Sequence, residues 1–298
     1  SDVIFKIGPR INASGRMQSG IEAVDLLVTR DLHDAYEKGA NIDQYNRDRK
    51  ELDKRITDEA NELIERNVSI IEGKRSIVIC NHDWHKGIIG IVASRLTELY
   101  YKPAVVLTAT EGMATGSARS VQGFDIYAGV NSARHLLENF GGHTYAVGLT
   151  LKEENVPEFA RLFEHYVSEH ILPSQLEPQI EIDAQITFSQ ITPEFIAYLR
   201  KFNPFGPGNQ KPVFITKNVF DFGTSKLVGK NMEHIKLELE DNSTSRVINA
   251  IAFNMAPYFE HIHAHKPIDI CYTIEHSKHP SRGDSVQLMV RDIRLSGK

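Results

Sequence analysis

Two short segments in the middle of the chain have the residue types that handle a phosphate group. They are Gly116-Ser117-Ala118-Arg119-Ser120 and Gly141-Gly142-His143. Glycine lets a backbone approach an anion closely, the two serine hydroxyls can donate to phosphate oxygens, and the Arg119 guanidinium can bind phosphate through two hydrogen bonds. Such groups recognise a nucleotide phosphate or a nucleic-acid backbone. The alternatives are an ion pair between Arg119 and a helix carboxylate, and a buried or helix-end His143.

Further candidates lie upstream of these segments. His85 and Gly87 stand before a predicted helix, whose N-terminal amides and dipole favour an anion. Trp84 is the only tryptophan of the chain, and it either stacks on a base or anchors the core. A loop near the start of the chain has polar and basic residues that could complete the same pocket: Arg10, Asn12 and Arg16. Asn12 is equally well explained as a residue that caps the backbone.

Three patterns in the second half are less specific. His261, His263 and His265 alternate, but without an acidic or thiol partner nearby they predict a solvated loop rather than a metal site. Asp221-Phe222-Gly223 resembles a kinase triplet only as text, because no glycine-rich nucleotide loop accompanies it. A basic aromatic face for single strands is predicted, with surface lysines over an ordinary core as the alternative. Its residues are Lys217, Lys226, Lys230, Lys236, Phe220 and Phe222.

Length and composition indicate a globular protein of two domains with an extension. The chain has 298 residues, of which 41% are hydrophobic and 24% charged. It has no apolar run of membrane-spanning length, and no charged-then-apolar leader opens it. The net charge of −5 argues against a protein that coats nucleic acid, so any polynucleotide contact must be local. Cys80 and Cys271 lie in apolar runs and predict two buried thiols in a reducing cytoplasm.

The elements that must position the phosphate-handling groups alternate between helix and strand. A short amphipathic helix is predicted within residues 1–35, and the apolar period from Ile42 to Asn67 predicts one long connector helix, with a coiled-coil seam as the alternative. Alternation over residues 75–170 predicts an α/β domain. Its expected strands are 76–80, 104–108, 114–120 and 144–151, and its expected helices are 87–100, 125–140 and 156–170.

The pattern changes beyond a linker bracketed by Pro173 and Pro178. Apolar residues then alternate with a period of two, and turns at Asp241-Asn242 and Arg282-Gly283-Asp284 separate short strands. Five or more such strands predict a small barrel or sandwich, of which an OB-like barrel is the first choice. The predicted fold class is therefore an α/β, mixed-sheet domain, preceded by a long connector helix and followed by an all-β OB-like barrel.

Five segments, in this order, resemble the C-terminal part of the RecJ family of single-strand-specific exonucleases, members of the DHH phosphoesterase superfamily. They are Ile7–Arg16, His85–Leu96, Gly116–Ser120, Phe140–His143 and Pro204–Asn209. Each segment is weak evidence by itself, but five in register form a specific pattern that covers nearly the whole chain. The resemblance implies four parts, which are listed here in chain order: the end of a catalytic DHH domain at 1–40, the connector helix at 41–70, a DHH-associated substrate-binding domain at 71–172, and an OB-like nucleic-acid-binding domain at 173–298.

The resemblance also implies an activity and a cofactor. The family removes nucleotides from single-stranded DNA in the 5′ to 3′ direction, in repair and recombination, with a divalent metal, manganese or magnesium; this fits two-metal phosphodiester hydrolysis. The metal ligands belong to the catalytic domain and include an Asp-His-His triplet. No such triplet occurs here, and Asp31-Leu32-His33-Asp34 does not replace it. This chain is therefore expected to hold no metal, to be inactive alone, and to bind the substrate.

The substrate residues that the resemblance supports are Arg10, Asn12, Arg16, His85, Gly116, Ser117, Arg119, Ser120, Gly141, Gly142 and His143. Arg119 with Ser117 is expected to grip a terminal or penultimate phosphate, and His143 to contact a phosphate or the transition state. Single-stranded DNA is the implied partner, a single-strand-binding protein or a helicase are candidate protein partners, and a monomer is expected. The alternatives are a phosphodiesterase of short oligonucleotides or cyclic dinucleotides and a non-catalytic single-strand-binding scaffold.

Overall fold

The computed structural model describes residues 3–206, 208–279 and 283–296. The chain divides into two units, Ser1–Gln179 and Ile180–Lys298. The first unit opens with helices α1 (Gly8–Met17), α2 (Gly20–Val28) and α3 (Leu32–Arg66). The loop predicted around Arg10 is wrong, because these residues form α1, in whose first turn Pro9 removes no helical hydrogen bond.

The long predicted helix is confirmed as α3, which has 35 residues. It begins at Leu32 instead of Ile42, because Asp31 caps it by accepting a hydrogen bond of 2.8 Å from the backbone N–H of Asp34. In its second half, Ile56, Ala60 and Ile64 are buried against the sheet and helix that follow in the chain.

The predicted α/β domain is confirmed as a mixed sheet of five strands. The strands are β1 (Ile77–Asn81), β2 (Ala104–Thr110), β3 (Met113–Arg119), β4 (Leu137–His143) and β5 (Ala146–Lys152), and the helices are α4 (Ile89–Tyr100), α5 (Ile126–Asn131) and α6 (Val156–His170). The strand order is β1-β2-β3-β5-β4, in which β1 and β2 pair in parallel and the other neighbours pair antiparallel.

The helix predicted over residues 125–140 is wrong in its second half. Asp125 caps α5 through the backbone N–H groups of Tyr127 and Ala128, but α5 ends at Asn131. Residues 137–143 instead form the edge strand β4, in which Phe140 pairs with Leu149 of β5. Tertiary strand pairing therefore overrides the helical spacing of the apolar residues. Gly141-Gly142-His143 lies on a strand and not in a turn after a helix.

A hydrophobic layer packs on each face of the sheet, but the layer on the α4 face does not cover β4 and β5. On one face α3 and α4 pack over β1, β2 and β3 around Ile79, Val106 and Leu96. On the other face α5 and α6 pack against β2, β3 and β5 around Leu107, Leu149 and Phe163. On the α4 face, β5 and β4 continue the sheet beyond the edge of the helix layer, and their side chains on that face are exposed or partly exposed.

The predicted OB-like barrel is confirmed in the second unit. It contains β6 (Ala184–Gln185), α7 (Pro193–Lys201), β7 (Phe214–Asp221), β8 (Lys226–Val228), β9 (His234–Asp241), β10 (Thr244–Ala252), α8 (Phe259–His263), β11 (Ile268–His279) and β12 (Gly283–Leu295). The sheet closes in the order β7-β11-β12-β10-β9-β7, with β10 and β12 parallel. The turn at Asp241-Asn242 joins β9 to β10. Arg282 of the second predicted turn and Pro207 of the motif at 204–209 lie outside the described residues.

Candidate functional site

The strand register brings the two phosphate-handling segments together on the α4 face of the first sheet. Ser117 of β3 lies opposite Gly148 of β5, and Gly148 lies opposite Gly141 of β4. In the next row, Arg119 lies opposite Ala146, and Ala146 lies opposite His143. Directly paired residues project from the same face of a sheet. We call the part of this face on β4 and β5 the open shelf, which consists of Asn139, Gly141, His143, Ala146, Gly148 and Thr150.

The floor of the open shelf has no side chain at its centre. A Cβ atom on Gly141 would meet nothing within 4 Å, and one on Gly148 would meet only the Gly141 carbonyl oxygen, at 3.9 Å. Packing within the chain therefore does not explain these two glycines. Gly142 differs, because its φ is +155° and a Cβ atom there would overlap the carbonyl oxygen of Ala146. Gly142 is therefore required by the close packing of the β4–β5 hairpin. Gly141 and Gly148 leave their backbone accessible on the α4 face of the sheet.

Arg119 lies at the border between the open shelf and α4. Its Nη1 donates to the Ser117 hydroxyl at 2.6 Å and to the Ala118 carbonyl at 2.8 Å. Gly90 of α4 lies directly above, since a Cβ atom there would be 3.0 Å from Arg119 Nη2. Burial lowers the pKa of Arg119, and the positive charge of Arg16 lowers it further. Among the described residues, no carboxylate lies within 4.0 Å of either guanidinium.

Arg16 reaches this place from the end of α1. Its Nη1 donates to the Gly87 carbonyl at 3.1 Å, in the loop that leads into α4. Asn12 is exposed and lies one helical turn before Arg16, on the same side of α1. Arg10 lies on another side of the helix, where its guanidinium pairs with Asp43 of α3 and donates to the Lys6 carbonyl at 2.7 Å. The structure therefore brings Arg16 to Arg119 but commits Arg10 to holding α1 on α3.

The remaining predicted residues divide between exposed and structural positions. His143 is exposed, and its Nδ1 accepts a hydrogen bond of 3.2 Å from the Tyr145 backbone N–H. His85 Nδ1 accepts from the Gly87 backbone N–H at 3.1 Å and so shapes the turn before α4. The Ser120 hydroxyl donates to the Phe124 carbonyl at 2.6 Å, and Gly116 packs on Leu107 on the opposite face. Neither Ser120 nor Gly116 presents a group to the open shelf in this structure.

For Trp84 the sequence left base stacking and core packing open, and the structure supports core packing. It is 3% exposed, within the core between α3, α4 and the sheet, and its indole N–H donates to Glu59 at 2.9 Å. It anchors the core and is not available to stack on a base. The exposed aromatic residue beside His143 is Tyr145, which sequence reasoning missed together with Gly148 and Gly90. Only the strand register and the position of α4 reveal these three.

Two of the predicted lysines of the barrel are cross-strand neighbours. Lys226 of β8 lies directly opposite Lys236 of β9, in a row that continues through Ile251 and Met289. Within the described part of the chain, no carboxylate lies within 4.0 Å of either lysine. Phe222 is 52% exposed, and Phe220 is half-buried. The predicted Lys217 is exposed on β7, and Lys230 lies in the segment between β8 and β9.

The solvated loop predicted for the histidine-rich segment is wrong for its first two histidines, whereas His265 follows the helix in an exposed turn. His261 and His263 lie on α8, and the His263 ring stacks on Phe259. Asp221 is buried and accepts a hydrogen bond of 2.5 Å from the Ser225 hydroxyl. Across the described residues of both units, no three His, Cys, Asp or Glu side chains converge as metal ligands. The donor set of the described chain therefore does not fit a divalent cation, and we derive no step through one.

Comparison with known proteins gives a family for both units. The DHHA1 domain model matches residues 73–169, and the RecJ OB domain model matches residues 182–292. The chain belongs to the RecJ family. The single-stranded-DNA-specific exonuclease RecJ of Bacillus subtilis is 33% identical over 98% of this chain. The same enzyme of Haemophilus influenzae is 30% identical over 86% of it. None of the described helices is long and apolar enough to cross a membrane.

Solved RecJ structures agree with the fold. The crystal structure of RecJ from Thermus thermophilus in complex with Mn²⁺ matches all of this chain with a TM-score of 0.81 at 22% identity, over 42% of its own length. A second, with Mg²⁺, matches with a TM-score of 0.80. The chain spans 36% of the Bacillus relative and 45% of the Haemophilus relative. It thus corresponds to less than half of each of these proteins.

Proposed function

We propose that this chain is the substrate-holding part of a RecJ-type exonuclease that degrades single-stranded DNA in the 5′ to 3′ direction, in repair and recombination. The observation that carries the proposal is the pair Arg119 and Arg16, two guanidiniums beside a floor of accessible backbone. The charge of Arg16 acts on Arg119, and among the described residues no carboxylate lies within 4.0 Å of either one. We assign Arg119, Arg16, Ser117 and His143 to a terminal or penultimate phosphate.

The physical reason is electrostatic. Arg119 is half-buried next to a second positive charge, an arrangement that disfavours the charged guanidinium, as the direction of its pKa shift records. A phosphate supplies the missing counter-charge and accepts charge-assisted hydrogen bonds from both guanidiniums. Gly148 and Gly141 leave room for the sugar and the second phosphate, since neither carries a side chain over the open shelf.

The barrel supports a long single strand as the substrate, in addition to the recognition of its 5′ end. Lys226 and Lys236 are opposite neighbours whose mutual repulsion is relieved by a phosphate between them. A substrate of one or two nucleotides has no need of a second phosphate-binding unit. The barrel therefore favours long single strands over short oligonucleotides or cyclic dinucleotides, whereas it fits a non-catalytic single-strand-binding scaffold equally well. A cytoplasmic monomer is part of the proposal, and both cysteines are free thiols, as expected in a reducing compartment.

The cleavage step is assigned to the part of the relatives that this chain does not match. The solved relatives are complexes with Mn²⁺ and Mg²⁺, whereas the described residues here do not converge as a ligand set. We expect the chain alone to bind single-stranded DNA without shortening it when manganese is added. Shortening of a 5′-labelled strand by the purified chain, abolished by a chelator, would contradict this division of roles.

The test is fluorescence anisotropy of the chain with a labelled single strand that ends in a 5′-phosphate or a 5′-hydroxyl. The phosphorylated strand is expected to bind more tightly, and Arg119→Ala is expected to weaken it about 5- to 150-fold and to remove the preference. The control is Arg161→Ala, since Arg161 is an exposed arginine on α6 that pairs with Glu158. An affinity that does not rise with strand length beyond two or three nucleotides would favour the short-substrate alternative.

A further inference from the structure

Hydrogen bonds hold the backbone of Tyr145, whereas much of its side chain is exposed to solvent. It lies in the two-residue turn between β4 and β5, where its N–H donates to His143 Nδ1 at 3.2 Å and its carbonyl accepts from the Ser120 N–H at 3.2 Å. The preceding carbonyl, that of Thr144, accepts from the Ile126 N–H at 3.1 Å. These three hydrogen bonds, to the end of β4, to the residue after β3 and to the start of α5, hold this turn in place.

The side chain of Tyr145 is nevertheless 57% exposed. Its ring lies edge-on to the ring of His143, with a centroid separation of 6.2 Å. His143 shares a row with Arg119 and projects from the same face of the sheet. The Tyr145 ring therefore borders the open shelf on the side of the phosphate-binding residues.

The spacing fits one nucleotide. Ala146 lies directly opposite Arg119 on a neighbouring strand, about 5 Å away, and Tyr145 is the next residue in the chain. A phosphate held by Arg119 directs its own sugar and base either over α4 or over the open shelf. Gly90 closes the first path, because even a Cβ atom there would be 3.0 Å from Arg119 Nη2. The open shelf leads to Tyr145.

Three other aromatic residues of this domain, Trp84, Tyr127 and Phe140, do not face the open shelf. Trp84 is buried, and the Tyr127 ring packs on Phe140 with centroids 5.4 Å apart. Phe140 neighbours Gly141 along β4 and so projects from the opposite face of the sheet. Tyr145 is thus the aromatic side chain that the described residues of the first sheet place at the border of the open shelf with a large exposed surface.

We propose that Tyr145 stacks on the base of the nucleotide whose phosphate Arg119 and Arg16 hold, so that the site binds a base as well as a phosphate. This inference rests on the proposed function. Stacking tolerates every base, but a purine offers the larger ring surface, so a 5′-terminal purine is bound more tightly than a pyrimidine. Tyr145 is a substrate-positioning residue, since it fixes the first sugar relative to the anchored phosphate.

The experiment uses the full chain and three strands that differ only at the 5′ end: a phosphorylated adenosine, a phosphorylated abasic site, and an adenosine with a 5′-hydroxyl. The wild-type chain is expected to bind the phosphorylated adenosine end about 5- to 100-fold more tightly than the abasic end. Tyr145→Ala is expected to remove this difference while it keeps the preference for phosphate over hydroxyl. Tyr145→Phe and Tyr145→Trp keep both preferences, and so does the control Tyr36→Ala, which changes a 72% exposed tyrosine of α3.

The two preferences separate the inference from the proposed function. A wild-type chain that distinguishes phosphate from hydroxyl but not adenosine from an abasic site would overturn the inference and leave the proposed function standing. The same holds if Tyr145→Ala keeps the full base preference. A wild-type chain that ignores the phosphate would overturn the proposed function and this inference with it. Thermal unfolding of each variant shows whether the turn remains folded.

Discussion

Gly87 lies against the backbone of Arg16 so closely that a Cβ atom on Gly87 would overlap the Arg16 carbonyl oxygen. In the other direction, Arg16 Nη1 donates to the Gly87 carbonyl at 3.1 Å. The end of α1 and the loop before α4 are therefore in direct backbone contact. This contact sets where the second guanidinium of the proposed phosphate site lies.

Gly87→Ala is expected to push α1 away from this loop. Because the atom in the way is a backbone oxygen, relief requires movement of a whole element, and we expect a loss of about 1–3 kcal/mol in the free energy of unfolding. Affinity for 5′-phosphorylated strands should fall with it, since Arg16 moves away from Arg119. Urea unfolding measures the change in the free energy of unfolding, and fluorescence anisotropy measures the change in affinity.

The matched control is Gly39→Ala. Gly39 lies inside α3 with nothing within 4 Å of its Cβ position, so alanine is expected to raise stability by about 0.5–1 kcal/mol. Equal unfolding midpoints for Gly87→Ala and the wild type would show that α1 is not held at this contact.

Gly148→Leu is expected to separate folding from binding. A Cβ atom there meets only one atom, at 3.9 Å, so the side chain extends over the open shelf without a clash and stability should change by less than about 0.5 kcal/mol. Binding of a single strand should weaken at least about tenfold, because the side chain occupies the place of the sugar and phosphate. Gly148→Ala, with a smaller side chain, should show a smaller loss. Full affinity of the leucine variant would mean that the strand does not cross this floor.

Asp53→Ala is expected to loosen α4 from α3. Asp53 is buried and accepts hydrogen bonds of 2.8 Å from both Nε and Nη2 of Arg95, whose side chain is 51% exposed. Because water can reach the freed guanidinium, we expect a loss of about 1–3 kcal/mol rather than the full cost of a buried unpaired charge. Thermal unfolding of Asp53→Ala and the wild type measures this loss of stability.

The comparison for this ion pair is Glu158→Ala on α6, which removes an exposed pair with Arg161 and should cost about 0–0.5 kcal/mol. Similar losses in the two variants would show that the contact between α3 and α4 does not depend on Asp53.

The two cysteine thiols are expected to react slowly in the folded protein. Burial raises the pKa of Cys80, with a further contribution from Glu153, and burial likewise raises that of Cys271, with a contribution from Asp292. A raised pKa leaves less thiolate at a given pH, and the folded state holds the thiol proton more tightly than the unfolded state does. This contribution to stability is therefore present below the unfolded-state pKa and is lost as the pH rises through the folded-state pKa.

Alkylation by iodoacetamide between about pH 7 and 9, followed by mass spectrometry in native buffer and in urea, checks this expectation. Both cysteines should react faster in urea, and the gap should be widest at the lower pH. The structure buries Cys271 but leaves Cys80 partly exposed, so the prediction of two buried thiols holds only for Cys271. Equal rates in the two solutions would show that the fold protects neither thiol.

Local sequence patterns were sufficient for elements whose apolar periodicity agrees with their tertiary position. The 3.6-residue period of α3, the buried run of β2 and the alternation in β9 predicted a helix or a strand where the structure has one. The pattern failed at β4, where Leu137 and Phe140 have helical spacing with Val130 but pair with β5. An edge strand receives its partner from a distant part of the chain, and no local pattern contains that information.

The site shows the same limit at a finer scale. Arg119 and Gly141-Gly142-His143 were identifiable from residue type, because guanidinium and glycine have few chemical substitutes near a phosphate. Gly148 was not, because its relation to Ser117 and Gly141 depends on the register of three strands. Trp84 illustrates the converse, since its chemistry suits a base but its burial is set by packing between α3 and α4.

The cross-strand pair of Lys226 and Lys236 makes the barrel respond to ions in two opposite ways. Salt screens the repulsion between the two ammonium groups and so stabilises the free barrel, while the same salt competes with a bound polyanion. Under the proposed function, a strand of DNA relieves the repulsion at low ionic strength, where mobile ions do so least. We therefore expect the thermal stability that the barrel gains from DNA to be largest in dilute buffer and to shrink as salt replaces DNA as the counterion.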